Sequence, residues 1–209
     1  MINFVIEPSR TALLITDMQN VFVEGSPVSA PEGPQVLDRL NQLAEICHEV
    51  GIQVIYTAHV VRPDHTNVGI LAKIVPPVQA GLIDDGSASG SLHYGVQMRE
   101  GDILLKKPRY GAFHGTDLEL ILRDKGIDTL IIGGIATNVC CETTAREATV
   151  RDFKVIFLSD GTATFGLPDQ GFGAITAQEI QRVTCSVMSF FYGQVLTVDQ
   201  VIEKVRIRK

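Results

Sequence analysis

A three-layer, doubly wound α/β fold with a parallel sheet is what this sequence of 209 residues predicts. Three observations carry that expectation. Short runs that are apolar throughout recur along the chain, and strands of that kind belong to parallel sheets buried on both faces. Stretches of helical periodicity separate them and supply the covering layers. The composition, 45% hydrophobic and 20% charged, is that of an ordinary globular chain, and the length fits one domain over residues 1–209. There are no internal repeats or low-complexity tracts.

The elements follow in order. Residues 12–16 read as a buried strand. Val36, Leu40, Leu43, Cys47 and Val50 recur at helical spacing, and Gly51 ends that helix as a C-cap. Residues 52–58 are a second strand and 103–105 a third. Thr116 and Glu119 have capping-box spacing before a helix that carries Leu118, Ile121 and Leu122 and closes at Gly126. Residues 129–132 and 154–158 are the fourth and fifth strands. A helix is expected from about 172 to 191, a sixth strand at 195–197 and a last helix at 198–205. The exception is the segment 62–100, rich in Gly, Pro, Ser and His, with only 68–75 briefly helical. A loop of that length is a lid, a binding loop or an oligomer contact.

The formal charge of −6 argues against a nucleic-acid partner or an anionic membrane surface, both of which attract basic faces. No apolar run approaches the roughly 20 residues of a membrane span. The first ten residues lack a basic stretch followed by an apolar one, so a cytoplasmic protein is expected. Cysteines 47, 140, 141 and 185 form no CxxC pair and read as four reduced thiols.

In open α/β sheets, ligands bind beyond the carboxyl ends of the strands. Asp17 follows the first strand, His59 the second, and Lys106 and Lys107 the third. Gly133-Gly-Ile-Ala-Thr-Asn-Val-Cys140 follows the fourth and runs into a helix. Taken singly, Asp17 also fits a turn cap, Lys107 a solvated charge and Cys140 a small core residue. Together they place a carboxylate, an ammonium and a thiol at one edge of the sheet. A thiol near a helix N-terminus and an ammonium is expected to have a lowered pKa. A carboxylate in reach can take its proton, and the glycine turn can aim backbone N–H groups at an oxyanion. Cys141 points elsewhere on that helix and reads as packing, as do Cys47 and Cys185.

Three stretches together resemble the isochorismatase-like cysteine hydrolase superfamily. They are Leu14-Ile-Thr-Asp17-Met-Gln-Asn-Val-Phe22, then Lys107-Pro-Arg-Tyr-Gly-Ala-Phe113 with Gly115-Thr-Asp-Leu118, then Gly133 to Cys140 with Thr143-Thr-Ala145. The resemblance covers most of the chain except 62–100. It implies a six-stranded parallel sheet, a triad of Asp17, Lys107 and Cys140, and homodimers or homotetramers. It also implies a cis peptide between Ile135 and Ala136, with the Ala136 and Cys140 N–H groups as oxyanion hole. Lys107 is chosen over Lys106 because the family pattern is Lys-x-Arg-Tyr-x-x-Phe.

Within the superfamily, a cysteine favours the amide-cleaving members over isochorismatases, which cleave a vinyl ether without one. Nicotinamidases bind a metal through an Asp-x-His pair, which is missing from Thr57-Ala-His59-Val-Val-Arg-Pro-Asp64-His65. No metal and no cofactor are therefore expected, and His59 and His65 read as solvated loop histidines. The remaining branch hydrolyses linear amides, ureido acids or carbamoyl compounds through a thioester and releases ammonia. Gln19, Asn20 and Phe22 are expected near the substrate. Phe113 is expected as an apolar wall, Thr137 as a hydrogen-bonding group and Arg109 as a partner for a carboxylate or a structural ion pair. Gln178 or Gln181 is expected to reach in from the late helix. The alternatives are a vinyl-ether hydrolase with an incidental cysteine and a non-catalytic binding member of the fold. A dinucleotide-binding module is disfavoured, since no GxGxxG follows the first strand.

Overall fold

Alternation along each strand decides which core a side chain enters. On β1 (Thr11–Thr16), Leu13 and Ile15 face one core and Ala12 and Leu14 the other. The same split recurs on β2 (Gln53–His59), where Val54 and Tyr56 oppose Ile55. It recurs on β4 (Thr129–Ile135) and on β5 (Lys154–Ala163), where Ile156 and Leu158 oppose Val155 and Phe157. With β3 (Ile103–Lys107) and β6 (Gln194–Leu196) they form one six-stranded sheet, ordered β3-β2-β1-β4-β5-β6. Every pairing is parallel. This is the computed structural model of the chain, and it describes residues 2–206.

Helices cover both faces because both faces are apolar. On one side lie α2 (Gly33–Val50) and α8 (Val198–Arg206), which contribute Leu40, Leu43, Val201 and Val205. On the other lie α5 (Leu118–Asp124) and α6 (Glu142–Thr149), contributing Leu118, Leu122, Ala145 and Ala148. Gly51 closes α2 in the left-handed region at φ 79°, and its N–H reaches the Cys47 and His48 carbonyls. That is the glycine C-cap the sequence predicts. Among the described residues, no helix is long and apolar enough to cross a membrane.

Several boundaries move. β5 runs on to Ala163, with a register shift against β4 near Ile132 and Gly134. The predicted capping box at Thr116 is not made. Asp117 precedes α5 without a side-chain cap, and Glu119 pairs with Arg123 and Arg151 instead. A complete capping box does form at Thr176 and Glu179, opening α7 (Ala177–Val187). The late helix therefore starts at 177 rather than near 172, and its end relaxes into a π-helical turn at Met188–Tyr192.

The segment 62–100 folds back over the carboxyl end of the sheet. It carries two short helices, α3 (Leu71–Ile74) and α4 (Pro76–Gln79). Val61, Val68, Leu71, Val78 and Ile83 make a third apolar cluster with Val21. Several polar contacts order and fasten the segment. Lys106 pairs with Asp85, His65 lies 2.9 Å from Asp84, and Arg109 donates to the Asn67 carbonyl at 2.9 Å.

Candidate active site

β1 and β4 are adjacent, yet the chain leaves them toward opposite ends of the sheet. That reversal opens a crevice at their carboxyl ends, where ligands of open α/β sheets sit. Gly134 lets the two strands close up there. It has φ 123°, and a Cβ on it would lie 2.0 Å from the Thr16 carbonyl oxygen.

Asp17 ends β1 in the left-handed region, at φ 53°, a conformation that aspartate tolerates better than most residues. Its carboxylate is wholly buried. Oδ1 accepts from the Thr57 hydroxyl at 2.6 Å, and Oδ2 lies 2.7 Å from Lys107 Nζ. That second contact is an ion pair without hydrogen-bond alignment, so Oδ2 keeps room for another donor. Lys107 is the last residue of β3 and also wholly buried. Alternation explains the choice between the two lysines: Lys106 faces solvent and Lys107 the interior. Lys107 Nζ donates to the Arg109 and Tyr110 carbonyls at 3.0 and 2.8 Å. Burial opposes its charge, but Asp17 and Cys140 outweigh that, and its pKa is raised.

Cys140 stands on a π-helical turn, Thr137–Cys141, that links β4 to α6. The Ile135–Ala136 peptide bond is cis. The Ala136 carbonyl accepts from the Val139 and Cys141 N–H groups, and the Cys140 carbonyl from the Thr144 hydroxyl at 2.7 Å. The thiol pKa is raised, not lowered as the sequence suggests. Burial pushes it up first; the Lys107 ammonium pulls it down, but Asp17 pushes the same way as burial. The resting group is therefore a neutral thiol beside a carboxylate. Cys141 lies in the core of the opposite face, as its position round the turn predicts.

His59 corrects the sequence reading. It is the last residue of β2, not a loop residue, and it is buried at 3% exposure. A ring nitrogen of His59, a carboxylate oxygen of Asp17 and the Cys140 sulfur all lie within 4.8 Å of one another. Nε2 is buried without a partner, while the Pro108 carbonyl favours an N–H on the ring, which argues for the proton on Nδ1 and the lone pair on Nε2. Burial, then the Lys107 charge, lowers its pKa to about 4. Tyr110 packs edge-on to it at 5.5 Å. The three side chains span a volume that admits a metal ion, but the ammonium in contact with Asp17 repels a divalent cation there.

A cavity of about 160 Å³ opens onto Cys140. Phe22, His59, Tyr110, Ala136 and Phe165 line it, and Leu71, Val75, Val78 and Leu82 roof it from the 62–100 segment. Of the expected substrate contacts, Phe22 is on this wall. The others are engaged elsewhere. Gln19 is buried and holds the His59 backbone and the Gly90 carbonyl. Asn20 donates to the Ala88 carbonyl. Arg109 donates to the Asn67 and Pro108 carbonyls. Phe113 packs on Phe153 in the second core, away from the cavity. The Thr137 hydroxyl donates to Gln181, which in turn holds the Ser159 carbonyl and Thr162. Gln178 faces a separate cleft with Pro31, Glu32 and Arg182. Sequence reasoning missed Thr57 and Tyr110; for 62–100 it offered a lid, a binding loop or an oligomer contact, and that segment supplies the cavity roof. Thr57 shares its strand with Gln53, Tyr56 and His59, so no local signal singles it out.

Comparison with known proteins gives the family and the fold. Residues 11–187 match the model of the Isochorismatase domain. A ureidoacrylate amidohydrolase, RutB, of Methylorubrum extorquens is 32% identical over 190 residues, covering 81% of this chain and 76% of that one. An isochorismatase of Bacillus subtilis is 34% identical over 166 residues, covering 79% and 52%. A cysteine hydrolase of Pseudomonas syringae pv. phaseolicola superposes with a TM-score of 0.96 at 32% identity, covering 99% of this chain and 97% of that one. The parallel-sheet fold and these relatives thus define the class, a hydrolase. The chain belongs to the Isochorismatase domain family.

Proposed function

We propose that the protein is a cysteine-dependent amidohydrolase that cleaves a small linear amide, ureido or carbamoyl substrate and releases ammonia. The observation that carries this reading is the buried Cys140 thiol at the cavity floor, beside an Asp17 carboxylate that is held by Lys107. Asp17 Oδ2 takes the thiol proton, and Sγ attacks the carbonyl carbon. The backbone N–H groups of Ala136 and Cys140 hold the oxyanion; each such donor is worth about 2.7–4 kcal/mol in the barrier. The protonated Asp17 returns its proton to the leaving nitrogen as the C–N bond breaks. Water, deprotonated by the same carboxylate, then cleaves the thioester and restores the thiol. Lys107 keeps its charge throughout. Its contacts with Asp17 and two carbonyls orient the base and stabilise the thiolate as it forms.

A vinyl-ether reaction is the second reading, favoured by the Bacillus relative named isochorismatase. The experiment that separates them is ammonia release from a panel of ureido acids, carbamoyl compounds and simple amides, alongside consumption of isochorismate. Each is run with and without iodoacetamide and a chelator. The expected result is ammonia release that alkylation abolishes and chelation spares. Cys140→Ser is expected to lose nearly all activity, and Cys141→Ser to keep most of it. Equal turnover in both variants, or isochorismate consumed despite alkylation, sinks the cysteine mechanism.

We further propose a cytoplasmic homodimer or homotetramer. Four free cysteines accord with a reducing compartment. Exposed Phe172, Phe190 and Phe191 accord with self-association.

A further inference from the structure

Among the described residues, no cation lines the cavity to hold a substrate carboxylate. Its roof and walls are aliphatic or aromatic, chiefly Phe22, Leu71, Val75, Val78 and Leu82. The polar side chains that reach it are those of Cys140, His59 and Tyr110. Lys73, on the roof helix α3, is exposed and does not line the cavity, and the two cations at the end of β3, Lys107 and Arg109, are committed. Lys107 lies beneath the floor, wholly buried, ion-paired with Asp17 and donating to the Arg109 and Tyr110 carbonyls. Arg109 turns its guanidinium onto the Asn67 and Pro108 carbonyls and does not line the cavity. A carboxylate entering here loses its water and meets no partner, which is the most expensive kind of burial.

One polar feature does remain open. His59 Nε2 is buried with no hydrogen-bond partner, and its nitrogen is the lone-pair member of the ring. An unpaired buried acceptor favours a ligand that brings an N–H to it and rejects one that does not.

Resting on the amidohydrolase reading above, we infer that this site takes a neutral amide or urea with an apolar aliphatic or aryl group, not a ureido acid of the kind that the ureidoacrylate relative is named for. The apolar group lies under α3 and α4. An N–H of the scissile group donates to His59 Nε2. The reaction is RCONH2 + H2O giving RCOO− and NH4+: the C–N bond breaks, the Sγ–C bond forms and is in turn hydrolysed. The charged product, formed in an apolar chamber, is driven out by the same penalty that excludes a charged substrate.

The test uses two shape-matched pairs: 4-methylpentanamide against succinamate, and 3-methylbutylurea against 3-ureidopropionate. Ammonia release is measured with the wild-type protein. Binding to the Cys140→Ser protein is measured by calorimetry, so that recognition is read apart from turnover. The expected result is a preference of about 100-fold or more for the neutral member of each pair, in kcat/KM and in Kd. His59→Phe, which removes the acceptor, is expected to weaken binding of the neutral amide while leaving the charge preference in place. Equal or better use of the carboxylates overturns the inference and leaves the amidohydrolase reading standing. Preferential binding of the neutral compounds without ammonia from any substrate supports the site's selectivity and overturns the amidohydrolase reading. No binding and no ammonia from any of the four overturns both.

Discussion

Asp17 and Lys107 are buried together at the centre of the molecule, and neither is tolerable there alone. Breaking such a pair by removing one partner typically costs about 3–5 kcal/mol, because a bare charge is left behind. The pair is therefore both a structural requirement and the source of the base. Its neighbour His59 behaves differently: it is buried neutral, with a pKa lowered to about 4. An unfolded histidine titrates near 6.5. Between those values the unfolded chain binds more protons than the folded one, so stability rises with pH through that window. Acidification from pH 6.5 to 4 is expected to remove roughly 3 kcal/mol through this one residue. Urea unfolding across that range, in wild type and His59→Asn, checks it. A flatter pH dependence in the variant is the expected outcome, and identical slopes would assign the effect to other groups.

At the scale of elements, the close approach of β1 and β4 holds the base and the nucleophile in register. Gly134 is the residue that permits it, through a positive φ and an absent side chain. Gly134→Ala forces a Cβ against the Thr16 carbonyl oxygen, one residue before Asp17. Strain of this kind costs on the order of 1–3 kcal/mol, and here it lands on the catalytic geometry. A lower Tm together with a fall in kcat larger than any change in KM is the expected result. Unchanged kcat would show that the strand spacing does not position Asp17. The π-helical turn is tied down from outside the cavity as well. Thr137 holds Gln181 of α7, Gln181 holds β5, and Thr164 donates to Asn138 at 2.7 Å. A segment of 39 residues that reads as irregular from its composition supplies the roof through two single-turn helices. Its apolar positions gather into one cluster from two single-turn helices and the loops between them, too short a run of each to set a sustained period.

For the molecule as a whole, three phenylalanines stand in solvent and do not line the cavity: Phe172 at 93%, Phe190 at 80% and Phe191 at 68% exposure. Phe190 and Phe191 flank a groove with Phe4 and Phe153 at the β6 edge of the sheet. If self-association covers them, sedimentation velocity gives a dimer or tetramer for the wild type, and Phe190→Ser with Phe191→Ser shifts it toward the monomer without loss of fold. A monomeric wild type would leave these phenylalanines exposed and the assembly proposal without support.

The sequence by itself determined the sheet, its parallel sense, the covering helices and the identity of Asp17, Lys107 and Cys140 as one cluster. Those are recorded locally, in uninterrupted apolar runs, helical periodicity and short motifs at strand ends. What only the tertiary structure decided are the properties that depend on surroundings. The burial that raises the Cys140 thiol pKa, where the sequence suggests a lowered one, is one. So are the engagement of Gln19, Asn20, Arg109 and Thr137 by backbone and side-chain partners, and the arrival of His59 beside the nucleophile. Each rests on contacts between residues tens of positions apart, and a solvent boundary of that kind is drawn only when the chain has closed on itself.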